Sequence, residues 1–538
     1  MREDRVLEQV KRGIVALLPA IVLMAGCRGS AEPEGPPAPA ARPSTSATDP
    51  SPSAAASVEL PGDGRGESIE PSGEFSPPTS PAVPDAGEPP EEEASEPWPQ
   101  PQQVRSLADL FDVPDSAATW MPKVPRLEVD EARVAAAGIR KLTGKHLVLY
   151  TDLPPGEEID VLPEVFDQAF PQWCAYFGVD PREHADWQMT GFLMKERPPF
   201  EEAGVLPRSL PPFPNGYARN YELWLYDQPS DYYRRHLLLH EGTHGFMNSL
   251  LGGCGPPWYM EGMAELMGTH RWGDGRLTMG YMPATREEVP LWGRIKIVKD
   301  LFDEHQAKRL IDVIHYSRRA HRENEPYAWS WAAAALLDGH PRYQARFREL
   351  PKLVLRPDFS DRFLRLLGDD RDGLAEEWQV FVADLEYGYD VAKTAVDFTP
   401  GKPLEEGGTT VTVAADRGWQ NSGLKLQAGV PYRLRAQGRY QVADRPQIWW
   451  CEPNGVSIRY YRGRPLGILL GAVHADGPGE GGPSPLIRPG TISLGTTLTP
   501  ERTGTLFLRI NDSGAELGDN AGTLTVEISP QSAARKTD

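Results

Sequence analysis

His240-Glu241-Gly242-Thr243-His244 is the stretch of this chain whose residue types and spacing can do chemistry most directly. Histidines at i and i+4 lie on one face of a helix, so their rings can converge on one tetrahedral cation such as zinc. The intervening Glu241 can then reach a water on that cation and act as a base. Two histidines do not hold a catalytic zinc, so a third donor is needed. A Gly/Pro turn, 252–257, leads into Trp258-Tyr-Met-Glu-Gly-Met-Ala-Glu-Leu-Met267, where Glu261 and Glu265 stand one helical turn apart. Both can face the histidines, and spacing alone leaves the choice between them open. His236 lies on the motif face one turn earlier, but successive turns diverge from a single metal, and it reads as a hydrogen-bonded core histidine.

These side chains need elements to hold them. The motif lies on a helix beginning near Tyr232, with Ser230 or Asp231 as its cap. Before it, His146–Tyr150, Gln188–Met194 and Tyr221–Tyr226 read as strands, and Ile159–Phe177 as a helix with apolar residues at helical spacing. Residues 104–139 read as a helical lead-in, with a helix at Asp130–Ile139. From the motif to about Asp390 helical patterns dominate. After Pro400 short Thr/Val/Leu alternations broken by Gly and Pro read as an all-β module. The expected architecture is an α+β domain over 140–398, an all-β sandwich over 399–530 and a tail over 531–538.

His-Glu-x-x-His followed by a Trp-x-x-Glu-Gly-x-Ala-Glu helix resembles the gluzincin metallopeptidases, specifically the peptidase-MA-like domains of bacterial envelope proteins. The metzincin continuation is excluded, because Met247 and Leu250 stand where it needs Gly and His. The resemblance, over about residues 140–390, implies a zincin-like fold, Glu261 as the third zinc ligand and Glu265 as the carboxylate that orients a ligand histidine. It implies Glu241 as general base and a donor for the oxyanion. Tyr327, in the helix Glu325-Pro-Tyr-Ala-Trp-Ser-Trp-Ala, is the candidate donor, with His315 and His321 as fallbacks. It also implies that the strand Tyr221–Tyr226 offers its edge to an extended peptide.

Composition sets the surroundings. With 56 Lys+Arg against 76 Asp+Glu the net charge is −20, and no basic region stands out, which excludes a nucleic-acid partner held by phosphate neutralisation. Lys11-Arg12 precede an apolar run from Ile14 to Ala25, the length of a secretory core rather than of a membrane span. Gly26-Cys27 follows, similar to a bacterial lipobox, so residues 1–26 are expected to be a signal peptide and Cys27 the lipidated first residue. Residues 27–103, rich in Pro, Ala, Ser and Glu, read as a solvated tether. Cys174, Cys254 and Cys451 permit one internal disulfide at most.

In the β module, Trp419–Gly429, Ala436–Gly438 and Leu508–Thr523 resemble the galactophilic PA-I-type lectins, which are jelly-roll-like sandwiches with a calcium-assisted sugar site. The resemblance puts Asp512, Asp519 and Asn520 at calcium-ligand positions. The segment Val456-Ser-Ile-Arg-Tyr-Tyr461 lacks the polar sugar-contacting residues of that family, so galactose itself is not implied. The expectation is an exported, lipid-anchored zinc metallopeptidase of the bacterial envelope, acting on a peptide or protein, with a carbohydrate-binding-like module. The alternatives are a non-catalytic surface binding protein with a structural zinc, and a zinc amidase acting on envelope amides.

Overall fold

A computed structural model describes residues 125–317, 320–475 and 482–531, with the side chain of Arg322 excepted. All belong to one compact unit, Trp98–Asp538. The expected signal peptide, Cys27 and the tether lie outside the described residues. Among these residues no helix is long and apolar enough to cross a membrane.

The first domain is α+β. Its sheet contains β1 (Arg140–Thr143), β2 (Leu147–Thr151), β3 (Met189–Met194), β4 (Gly216–Arg219) and β5 (Glu222–Tyr226), in the order β1-β2-β3-β5-β4. β2, β3 and β5 are parallel neighbours, while β1 and β4 close the two sides antiparallel. The three central strands are buried along most of their length, as their near-continuous apolar sequences require. A helix at Leu162–Phe177 lays Phe166, Phe170 and Trp173 against Trp187 and Phe246, so one aromatic cluster ties this helix, the segment leading into β3 and the motif helix together.

One expectation is corrected here. Glu222–Tyr226 is not an edge strand: it lies between β3 and β4, and the open edge belongs to Gly216–Arg219. That tetrapeptide follows a Pro-rich stretch and becomes a strand only by pairing with β5. A hairpin within the helical region, β6 (His270–Gly273) and β7 (Arg276–Met279), is also absent from the sequence reading. Asp274 and Gly275 both take positive φ in its turn, 51° and 69°, which an Asp-Gly pair accommodates.

The region from Lys402 onward is β-rich. A five-stranded and a four-stranded sheet face one another across a shared apolar core that includes Leu434, Leu469, Leu506 and Val526. It docks on the end of the helix Asp370–Asp384. There Val380 packs with Trp419, Leu470 and Phe507. Beside them Asp384 receives Arg509 at 2.6 Å and also pairs with Arg462. Glu386 Oε1 accepts from Tyr461 at 2.8 Å and from Ser513 at 2.6 Å. Cys174, Cys254 and Cys451 are all buried, and no two of them are joined to each other.

Candidate metal centre

The motif helix runs Asp231–Phe246, and Ser230 Oγ caps it by accepting from the Tyr233 N–H at 3.1 Å. It continues as a π-turn at Met247–Leu251 and stops at Gly252, whose φ is 81°. The second helix, Pro257–Gly268, starts with Pro where the N–H is unsatisfied anyway. It packs against the Ala-rich helix Asn324–Gly339 at Gly262, where a Cβ would sit 2.7 Å from the Ser330 carbonyl oxygen. The glycine of the Glu-Gly-x-Ala phrase is therefore demanded by that close approach.

The fold brings His240, His244 and Glu261 together. His240 Nε2 and His244 Nε2 are 3.2 Å apart, and each is 3.3 Å from Glu261 Oε2. A tetrahedron with ligand bonds of ~2.0 Å has edges of ~3.3 Å, so this triangle has the dimensions of one face around zinc. Glu261 Oε2 is buried with no hydrogen-bond partner. Burial would raise the Glu261 carboxyl, but the rings of His244 and His240 hold it well below the usual carboxylate range. Burial likewise opposes a charge on His240, yet Glu261 and Glu265 push it up to about 10. A set that is anionic at Glu261 and crowded with facing donors fits a cation.

Around the triangle, Glu265 Oε1 lies 3.4 Å from His240 Nδ1, on the far side of the ring from Glu261. Glu241 is buried next to β4. A Cβ on Gly216 would come within 2.6 Å of Glu241 Oε1. Burial raises the Glu241 carboxyl, partly countered by His240 and His244 and by a backbone hydrogen bond from Ala218. Tyr327 has its ring centroid 6.1 Å from that of His240, and its hydroxyl donates to the His321 carbonyl at 3.2 Å. Burial raises its hydroxyl so far that it keeps its proton at neutral pH. His321 Nε2 lies 3.2 Å from Ser330 Oγ, and its Nδ1 is buried without a partner. His315 turns back to the Ile311 carbonyl of its own segment.

No family profile and no curated protein matches this chain. Among solved structures, a chain described as "EclA N-terminal domain; PllA-like lectin" is similar over 95% of its length and 23% of this one, at 20% identity and a TM-score of 0.17.

Residues that sequence reasoning missed complete the surroundings. Arg294 makes two hydrogen bonds to Glu265, and Trp292 makes a third. His236 is not hydrogen-bonded as expected: both ring nitrogens are buried without such a partner, and Nε2 sits 3.4 Å from Glu265 Oε2. No spacing rule links Arg294 to Glu265; only the need of a buried carboxylate for a counter-charge could have flagged it. In the β module, Asn520 Nδ2 donates to Asp512 Oδ2 at 2.9 Å, whereas Asp519 is half-buried with Oδ1 unpaired. Asp512 is fully buried, and burial pushes its carboxyl up to about 6.

Proposed function

We propose that this protein is a zinc-dependent hydrolase of peptide bonds, built on a zincin-like domain of gluzincin type. The observation that carries the reading is the triangle His240 Nε2, His244 Nε2 and Glu261 Oε2 with Glu241 beside it. A structural zinc takes four protein donors. Three converge here among the described residues, and this favours a catalytic site over the binding-protein alternative.

Bound zinc would polarise the scissile carbonyl and acidify a water. The chain's own residues supply the rest. His240, His244 and Glu261 hold the ion, and Glu265 receives His240 Nδ1–H so that Nε2 keeps its lone pair for the metal. Glu241, whose burial favours a carboxyl that can both take and return a proton, accepts the proton of the attacking water and passes it to the leaving nitrogen. Tyr327, which keeps its hydroxyl proton, turns from the His321 carbonyl to the oxyanion, and His321 is the alternative donor. β4, as an edge strand, offers its outer side to an extended substrate beside Glu241.

The lipobox-like Cys27 supports attachment to the bacterial envelope through a lipid anchor, and mass spectrometry of the native N-terminus tests this. The unpaired buried oxygens Asp519 Oδ1 and Asn520 Oδ1 support calcium in the β module and, with it, a carbohydrate partner. The deciding experiment for the catalytic domain is metal analysis combined with cleavage of an unbiased peptide library. One zinc with cleavage supports the proposal. One zinc with hydrolysis only of non-peptide amides moves it to the amidase, and zinc without any turnover moves it to the binding protein.

A further inference from the structure

Glu265 is 1% exposed and its carboxylate is approached from several sides. Arg294 donates from Nε to Oε2 at 2.9 Å and from Nη2 to Oε1 at 2.8 Å. Trp292 Nε1 donates to Oε2 at 3.3 Å. His240 Nδ1 lies 3.4 Å from Oε1 and His236 Nε2 lies 3.4 Å from Oε2. His236, His240 and Glu265 thus form a second group whose donor atoms could meet on a metal, overlapping the zinc triangle through His240. Two adjoining groups raise the question of how many ions the centre takes.

The guanidinium answers it. Arg294 is 6% exposed, and its planar fork engages both oxygens of Glu265 at once, so a full, permanent positive charge already stands on the carboxylate the second group would need. A divalent ion there would face that charge in a buried setting, where screening is weak. The fork also fixes rotation of the carboxylate, which decides which oxygen faces His240. Its own position is set locally. Arg294 opens the helix Arg294–Asp303 directly after Gly293, whose φ is 65°, and Trp292 is wedged edge-on to Trp331 with centroids 4.7 Å apart. The guanidinium further lies 5.6 Å from the centroid of the Tyr327 ring.

We infer that Arg294 is a positioning residue that keeps the centre mononuclear: it supplies the cation of the second group and locks the Glu265 oxygen that holds His240 for the first. The inference rests on the reading of the first group as a zinc site. A lysine could restore the charge but not the two-point hold, because it is a single rotating point charge.

The test uses the full chain as wild type, Arg294→Lys and Arg294→Ala. Zinc stoichiometry is measured by metal analysis at saturating zinc, zinc affinity by competition with a chromophoric chelator, fold by circular dichroism, and kcat and KM on a cleaved library peptide. Wild type is expected to bind one zinc. Arg294→Ala should bind it ~10–100-fold more weakly, with kcat falling and KM little changed, and Arg294→Lys should fall between the two. If Arg294→Ala does not fold, Arg294→Lys decides, with zinc binding weaker than that of wild type expected at an unchanged spectrum. Two zinc ions in wild type, or wild-type zinc affinity in a folded Arg294 variant, overturns the inference and leaves the hydrolase reading standing. A wild type that binds no zinc removes both.

Discussion

Gly216→Ala tests the catalytic reading without touching a ligand, a base or a charge. Gly216 lies on β4, and a Cβ built there would be 2.6 Å from Glu241 Oε1, 2.8 Å from Cγ and 3.0 Å from Cδ. Ordinary contact needs about 3.4 Å, so the carboxylate must retreat by roughly 0.4–0.8 Å. The backbone at 216 is not in the left-handed region, so alanine adds no φ strain of its own. A misplacement of about 1 Å in catalytic geometry can cost ~100-fold. The expected result is a kcat lower by ~10–100-fold, with zinc content unchanged because Glu241 is not a ligand. The assay is turnover of a library-derived quenched peptide on protein whose zinc is quantified in the same sample. Full activity in Gly216→Ala, with zinc bound, would refute the argument that the Glu241 carboxylate performs the proton transfer from this position.

Further outcomes separate the roles of individual residues. His240→Ala and Glu261→Ala should lose zinc on metal analysis, whereas Glu241→Gln should keep it and lose at least ~100-fold in turnover; if Glu265→Ala rather than Glu261→Ala empties the site, the ligand assignment is reversed. Asp384→Asn leaves Arg509 and Arg462 without their shared carboxylate and should lower stability by about 3 kcal/mol, splitting thermal unfolding into two steps. A single, unshifted transition would show that this ion pair does not couple the domains. Calcium titration should show one site per chain by calorimetry, abolished in Asp512→Asn; no heat and no rise in Tm would reduce the loop to a turn.

What was legible in the sequence is what local geometry dictates. The i, i+4 pair His240 and His244 faces one way on any helix, so these two needed no tertiary knowledge. The helix after the Gly/Pro turn brings both Glu261 and Glu265 back toward them, but the choice of Glu261 as the ligand came from the family resemblance and not from spacing. What was hidden depends on partners distant in the chain. Gly216–Arg219 carries no strand pattern of its own and is a strand because β5 pairs with it. Arg294 carries no signal of its own in the sequence and is marked only by the burial of Glu265 against it. Tyr327 could be placed near the site from its helix, but the direction of its hydroxyl depends on the His321 carbonyl across an irregular turn. The hairpin β6–β7 did carry an Asp-Gly turn signal, overshadowed by the helices on either side.

The join between the two domains bears on how such a chain could change over time. Asp384 and Glu386 stand at the end of the helical region and Arg462, Arg509, Tyr461 and Ser513 in the β-rich region, with Asp384 and Arg509 largely withdrawn from water. A β module lifted from elsewhere and spliced after residue 398 would leave that carboxylate stranded unless it brought its own matching cations. The C-terminal β-rich region is therefore not a freely exchangeable cassette: lineages that retain the acidic end of the helix Asp370–Asp384 should retain the arginines opposite it, and recombination between relatives should succeed only where both are inherited together.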